Sequence, residues 1–247
     1  ASPSIEPYTA GRWLPSLSHL AMPERLTCCF WHGDALRSRS VSDVVLTSRL
    51  EIPEPPARLV VDWRRDAITQ LMLEPGDVEP LSLARARTRW PDYGRCVQAV
   101  ADWARSRGLP GLPGDADVAL MACRGARYHH DGAQYGGALF CNLFLGEDLG
   151  LDVHFPSAGV RIPLARGTVM LFDTCQPHAV IRRDGEGFDA KDFGAERDTL
   201  QVFLTWELPI EDEALVRAMG IRFDVDPSSA SRLTEEQVLV NGEAATP

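Results

Sequence analysis

From Asp117 onward the chain is a succession of short β-type runs separated by turn residues, and this pattern limits its fold more than any other feature. The runs cover residues 118–123, 138–145, 151–155, 159–162, 168–172, 179–181 and 199–208. Gly132, Gly136-Gly137, Gly146-Glu147-Asp148, Pro156, Gly167 and Asp184-Gly185-Glu186-Gly187 punctuate them. Short strands at close spacing with turn signals between them predict an all-β sandwich or barrel. The last run alternates with the period of a strand. Leu200, Val202, Leu204, Trp206 and Leu208 share one face; Arg197, Thr199, Gln201, Phe203 and Thr205 share the other, which is expected to face a barrel mouth.

The N-terminal part has a different texture. Residues 1–25 are rich in Pro and Ser without a sustained period, and an extended arm is expected there. Runs at 26–31 and 44–50 lean toward strand. Residues 57–73 are ambiguous: Leu59-Val60-Val61 reads as strand, while 68–73 could close a helix or form another strand. Residues 91–107 predict a helix. Pro91 suits a first turn, Asp92 favours the positive helix end, and Cys96, Val97, Val100, Trp103 and Ala104 make a stripe at helical spacing. Gly108 and Pro110 end it, and 109–114 form a Gly/Pro linker. The expected organisation is an N-terminal region over 1–114, a β-barrel core over 115–210 and a C-terminal extension over 211–247. That extension carries a short helix at 211–219 and a weak helical patch at 234–238. Together they form one compact unit.

The 247 residues carry a formal net charge of −10, which argues against bare nucleic acid or an anionic membrane as partner. The six cysteines (Cys28, Cys29, Cys96, Cys123, Cys141 and Cys175) lie in or near apolar runs and are expected as buried free thiols. No apolar run approaches the ~20 residues of a membrane span, and the first residues lack a charged stretch followed by an apolar one. A reducing, cytoplasmic setting is the expectation.

Chemistry concentrates in Tyr128-His129-His130-Asp131-Gly132, taken with His178 and Arg197. At a strand end, residues two apart project to the same side, so His129 and Asp131 can reach one metal together. His178 supplies a second imidazole from another strand. Two histidines and one carboxylate with open positions opposite are the usual ligands of non-haem Fe(II) oxygenases. His130 points the other way, and His154 reads as a packed histidine. Cys175-x2-His178 lacks a Cys-x2-Cys partner, which weakens a zinc reading.

The ordered set His129-His130-Asp131, residues 167–173, His178 and Arg197-Asp198-Thr199 resembles the Fe(II)/2-oxoglutarate-dependent dioxygenase superfamily over roughly residues 117–208. The resemblance implies a mainly β fold with flanking helices, built on a double-stranded β-helix, a jelly-roll or cupin-like barrel. It implies Fe(II) on His129, Asp131 and His178, with 2-oxoglutarate as co-substrate and O₂ as oxidant. It further implies hydroxylation of a C–H bond of a small-molecule substrate, with release of succinate and CO₂. A guanidinium matches a carboxylate with two parallel bonds, so Arg197, supported by Thr199, is expected on the far carboxylate of 2-oxoglutarate. Arg182 and Arg183 compete for that role, because Arg197 lies further past His178 than is common in the family. Asn142 and Tyr128 are expected near the inner carboxylate, and Gln134 and Tyr135 on the substrate side. Two other readings stay open: a cupin-like dioxygenase that does not use 2-oxoglutarate, and a barrel that binds without catalysing. Residues 183–196 are expected as a lid, with Phe188 and Phe193 closing over substrate.

Overall fold

The computed structural model describes residues 25–114, 116–194 and 197–244; the arm expected before Arg25 lies outside them. The chain opens with β1 (Leu26–His32), β2 (Ala35–Ser40), β3 (Leu46–Arg49), α1 (Ala57–Thr69), β4 (Val78–Leu81), α2 (Leu83–Arg89) and α3 (Tyr93–Ser106). Next come β5 (Asp117–Cys123), β6 (Ala126–His129), the helical turn α4 (Gly132–Tyr135), β7 (Ala138–Phe144), β8 (Leu151–Phe155), β9 (Val160–Pro163), β10 (Thr168–Asp173), β11 (His178–Arg182) and β12 (Gln201–Pro209). It ends with α5 (Glu213–Ala218), α6 (Pro227–Ala230), β13 (Gln237–Val240) and β14 (Glu243–Ala244).

Strands β5 to β12 shuttle between two antiparallel sheets. The major sheet has the order β3-β10-β7-β12-β5-β4 and the minor sheet β6-β11-β8-β9. This alternation makes a double-stranded β-helix with flanking helices. A third sheet, β14-β13-β1-β2, stands beside it.

The two faces of the major sheet do different work. Leu204, Trp206, Leu208, Leu139 and Leu143 point outward and pack with Leu59, Trp63, Val100 and Trp103 in the larger apolar core. Burying each such side chain stabilises the fold by roughly 1.5–3 kcal/mol. The inner face carries Phe144, Met170, Phe172 and Phe203 toward Val153, Phe155 and Val180 of the minor sheet. Register stacks the inward residues in rungs. Asp117, Glu207 and Phe140 lie side by side, then Ala119, Thr205 and Asn142, then Met121, Phe203 and Phe144.

Four expectations need correction. Residues 59–61 belong to α1, because Leu59, Trp63 and Ala67 recur at helical spacing and are buried together, while Val61 is left exposed. Residues 237–240 form a strand: β13 pairs with β1, setting Val238 beside Cys28, and pairing overrides local propensity. β12 begins at Gln201, so Arg197 and Thr199 precede the strand instead of heading it. Finally, Phe188 and Phe193 do not close over a cavity. They stack on each other at 5.3 Å and 13°, and Phe193 is fully buried beneath a short 3-10 turn, Ala190–Phe193. Gly125, at φ 69°, makes room for it: a Cβ there would meet the Phe193 ring at 2.6 Å. Two rings gain more from mutual burial than from solvent-exposed cover.

Candidate metal centre

The minor sheet brings the metal-binding candidates together. β6 and β11 pair antiparallel with His129 opposite His178, and the rings lie 4.4 Å apart. Asp131 follows β6 at the entrance to α4, its N–H donating to the Thr174 carbonyl at 2.7 Å. His129 Nε2 is 3.8 Å from Asp131 Oδ1, and His178 Nε2 is 3.8 Å from Asp131 Oδ2. One ligand atom from each of the three residues lies within 4.8 Å of the others.

The imidazoles are oriented by the backbone. His129 Nδ1 is 2.7 Å from the Arg127 carbonyl, and His178 Nδ1 is 3.0 Å from the Gln176 carbonyl. A carbonyl only accepts, so Nδ1 carries the proton and Nε2 presents a lone pair toward Asp131. Burial, and next the neighbouring His129, holds His178 well below the usual imidazole range. Burial pushes the Asp131 carboxyl up, against the pull of His129 and His130. Two imidazole lone pairs and a carboxylate converging in a largely buried site are what a divalent cation would satisfy.

Packing holds the loop after Asp131 in place. A Cβ on Gly132 would meet Val238 Cγ2 at 2.6 Å and Cys175 Sγ at 2.7 Å, so only glycine lets the backbone sit there. Arg39 and Asp173, both fully buried, form a two-pronged ion pair at 2.7 and 2.9 Å. Arg39 also donates to the Gly136 carbonyl at 2.7 Å. Asp173 accepts from the N–H groups of Ser42 and Cys175. This clamp ties β2 of the third sheet to both loops that carry candidate metal ligands. His130 stays outside the triad; its Nδ1 accepts from the Gly132 N–H at 3.3 Å, and burial lowers it to about 4.

A cavity of about 390 Å³ opens between the sheets, lined by the three donors together with Gln134, Tyr135, Asn142, Thr205, Asp117 and Glu207. Below them its wall is apolar, with Met121, Phe144, Val153, Met170, Val180 and Phe203. Thus His129, Asp131, His178 and Asn142 meet in one place. Tyr128 does not line the cavity; its hydroxyl lies 2.5 Å from His154 Nδ1. Arg197 is exposed and Thr199 is buried with an unpartnered hydroxyl, and neither lines the cavity. Arg182 is paired with Asp184, and Arg183 with Asp148 and Asp152. Among the described residues, no Lys or Arg lines the cavity. The donor set therefore fits Fe(II), whereas the far carboxylate of 2-oxoglutarate has no cationic partner in this arrangement. The polar group nearest that role is Thr205 Oγ1, whose hydroxyl can donate; Asn142 Oδ1, also buried and without a partner, can only accept. Asp117 and Glu207 escaped the sequence reading. The alternation that put Thr205 on the inner face would have found Glu207 if carried one step further.

No protein-family model matches the chain, and no curated protein does. The solved structures similar in fold to the chain include the following three. One is the viral collagen prolyl hydroxylase of Paramecium Bursaria Chlorella virus-1, at 8% identity, covering 67% of this chain and 90% of that one, with a TM-score of 0.41. A second is a prolyl-4-hydroxylase of Pseudomonas putida, at 16% identity, covering 67% and 92%, with a TM-score of 0.38. The third is the alpha-ketoglutarate-dependent carbocyclase SnoK from nogalamycin biosynthesis, at 9% identity, covering 82% and 89%, with a TM-score of 0.36. At such identities a likeness concerns shape alone.

Proposed function

We propose that this chain is a non-haem Fe(II)- and 2-oxoglutarate-dependent oxygenase. It would hydroxylate an unactivated C–H bond of a small, amino-acid-like metabolite, with release of succinate and CO₂. The observation that carries the reading is the convergence of His129 Nε2, His178 Nε2 and the Asp131 carboxylate between two facing sheets, with a cavity beside them. His129, Asp131 and His178 would hold the iron and leave its remaining positions toward the cavity. Iron with open positions supplies the activation of O₂. Asp131 balances part of the metal's charge, and the Nδ1–carbonyl bonds keep both imidazoles aimed. Phe155 and Phe172, whose rings lie 5.7 and 4.9 Å from that of His178, keep water from the inner side of the site. Thr205, whose hydroxyl can donate, would meet a carboxylate of the co-substrate inside the barrel.

One observation favours a second reading, a barrel dioxygenase that uses the same iron without 2-oxoglutarate: the cavity lining holds no cation among the described residues. Anaerobic titration of the Fe(II)-loaded chain with 2-oxoglutarate separates the two. Saturable binding, followed by iron-dependent succinate formation on admitting O₂, supports the first reading. Iron binding without any 2-oxoglutarate binding supports the second. A chain that binds no divalent metal refutes both.

A further inference from the structure

The charge that the cavity does contain points to its substrate. Asp117 on β5 and Glu207 on β12 are direct register partners, and both line the cavity. Like charges directly opposite on paired strands are destabilising. Neither carboxylate makes a hydrogen bond or ion pair with any described residue. Burial, and next Asp117, raises the Glu207 carboxyl. One rung deeper lie Asn142 and Thr205, again register partners. Asn142 is only 8% exposed, and its Oδ1 has no partner, nor has Thr205 Oγ1. A buried polar atom without a partner costs about 1–3 kcal/mol, so two adjacent ones facing a cavity mark a place where a ligand completes the bonding. Two carboxylates, an amide oxygen and a hydroxyl all accept hydrogen bonds. The neighbouring walls are aromatic: Tyr135 and Phe140 lie 5.0 Å apart beside Glu207, and ring faces attract cations. Tyr135 closes the helical turn that follows Asp131, its N–H donating to the Asp131 carbonyl at 2.9 Å, so this acidic rung stands near the candidate metal ligands.

We infer that the substrate of this site carries an alkylammonium group, held by Asp117 and Glu207 at the cavity mouth and completed by the Asn142 amide oxygen. This inference rests on the oxygenase reading above and narrows its substrate class to organic cations. A substrate that placed a carboxylate against this rung would meet the like charges of Asp117 and Glu207. A cation relieves the Asp117–Glu207 repulsion on binding, so part of its affinity comes from strain already present in the empty protein.

The test uses the full-length chain loaded with Zn(II), which allows binding to be read without turnover. Calorimetric titrations with n-pentylammonium, 1-pentanol and pentanoate share one tail and differ in head group. Pentylammonium is expected to bind most tightly and pentanoate not at all. Glu207→Gln should weaken pentylammonium by about tenfold or more, as for loss of a charge-assisted bond, and leave pentanol unchanged. Asp117→Asn should act in the same direction and serves as the independent variant. Pentanoate binding as well as pentylammonium overturns the inference, as does unaltered pentylammonium affinity in both variants. If the parent chain holds no zinc, the oxygenase reading itself fails. If it holds zinc and rejects pentylammonium, only the cation assignment fails.

Discussion

His129 and His178 face each other across β6 and β11, and each gives its Nδ1 proton to the carbonyl of the residue two positions earlier in its own chain segment. The same local device is used twice, once at the end of a strand and once at the start of one. Because the two strands run antiparallel, it aims both Nε2 atoms at the single carboxylate of Asp131. The antiparallel register thus does the work of a ligand cage before any metal arrives.

Removing one donor should therefore abolish metal binding. Altering the surroundings of a metal ligand typically weakens affinity by about 10–100-fold, so loss of a ligand should exceed ~100-fold. His129→Ala, Asp131→Ala and His178→Ala are each expected to lose Fe(II) in equilibrium dialysis, whereas His130→Ala retains it. Iron affinity equal to the parent's in all three variants contradicts the triad.

The Arg39–Asp173 pair predicts a stability effect. Both side chains are fully buried, so Arg39→Ala strands a carboxylate without its counter-ion, at a cost of about 3–5 kcal/mol. Urea unfolding measures this directly. Arg39→Met with Asp173→Leu should recover only part of the loss, because the N–H groups of Ser42 and Cys175 then lose their acceptor. Metal affinity should fall secondarily, by about tenfold, as the loop at Gly136 loosens. An unchanged urea midpoint in Arg39→Ala contradicts the clamp.

Glu207 gives a pH-dependent signature. Its folded-state carboxyl is raised by burial and by Asp117. Below the unfolded value of 4.5 both states hold the proton and nothing is lost. As pH rises through the folded value the native state pays for a charge it disfavours, so stability declines. Glu207→Gln removes that decline. The variant and the parent should melt alike near pH 4, and the variant should melt roughly 1–2 °C higher at pH 7, a small margin because Glu207 stays partly solvated. A variant that melts below the parent at pH 7 goes against the unpaired state of this carboxylate.

The barrel and the convergence of His129, Asp131 and His178 were legible because they rest on local rules. Period-two alternation assigned Phe203 and Thr205 to the inside and Trp206 to the outside, and the His-x-Asp spacing at a strand end placed two donors on one side. What stayed hidden depends on pairing between distant segments. Nothing near residues 237–240 signals that β1 will recruit them as a strand, and nothing near Arg39 signals Asp173. Leu59-Val60-Val61 looks like strand until Trp63 and Ala67 are seen to share its buried stripe. The length of the loop before β12 was the decisive unknown, since a shift of its end by two residues moves Arg197 and Thr199 off the strand.

That shift leads to the last prediction, on which residues serve the co-substrate. Arg197 lies exposed outside the cavity, whereas Asn142 and Thr205 are register partners within it, and each presents a buried atom without a partner. A neutral hydrogen bond contributes about 0.5–1.5 kcal/mol, up to roughly tenfold in affinity. Thr205→Val should raise the 2-oxoglutarate KM by about that factor, whereas Asn142→Ala should leave it near the parent value, because a free amide oxygen only accepts and cannot pair with a carboxylate. Arg197→Ala should change it less than Thr205→Val does, and Arg182→Ala and Arg183→Ala, whose guanidiniums are already paired, should leave it near the parent value. Iron content must stay at one per chain in every variant for the comparison to hold. If Arg197→Ala instead raises KM by orders of magnitude, the segment before β12 must fold inward when 2-oxoglutarate binds, carrying a cation to the far carboxylate that the ligand-free cavity does not offer.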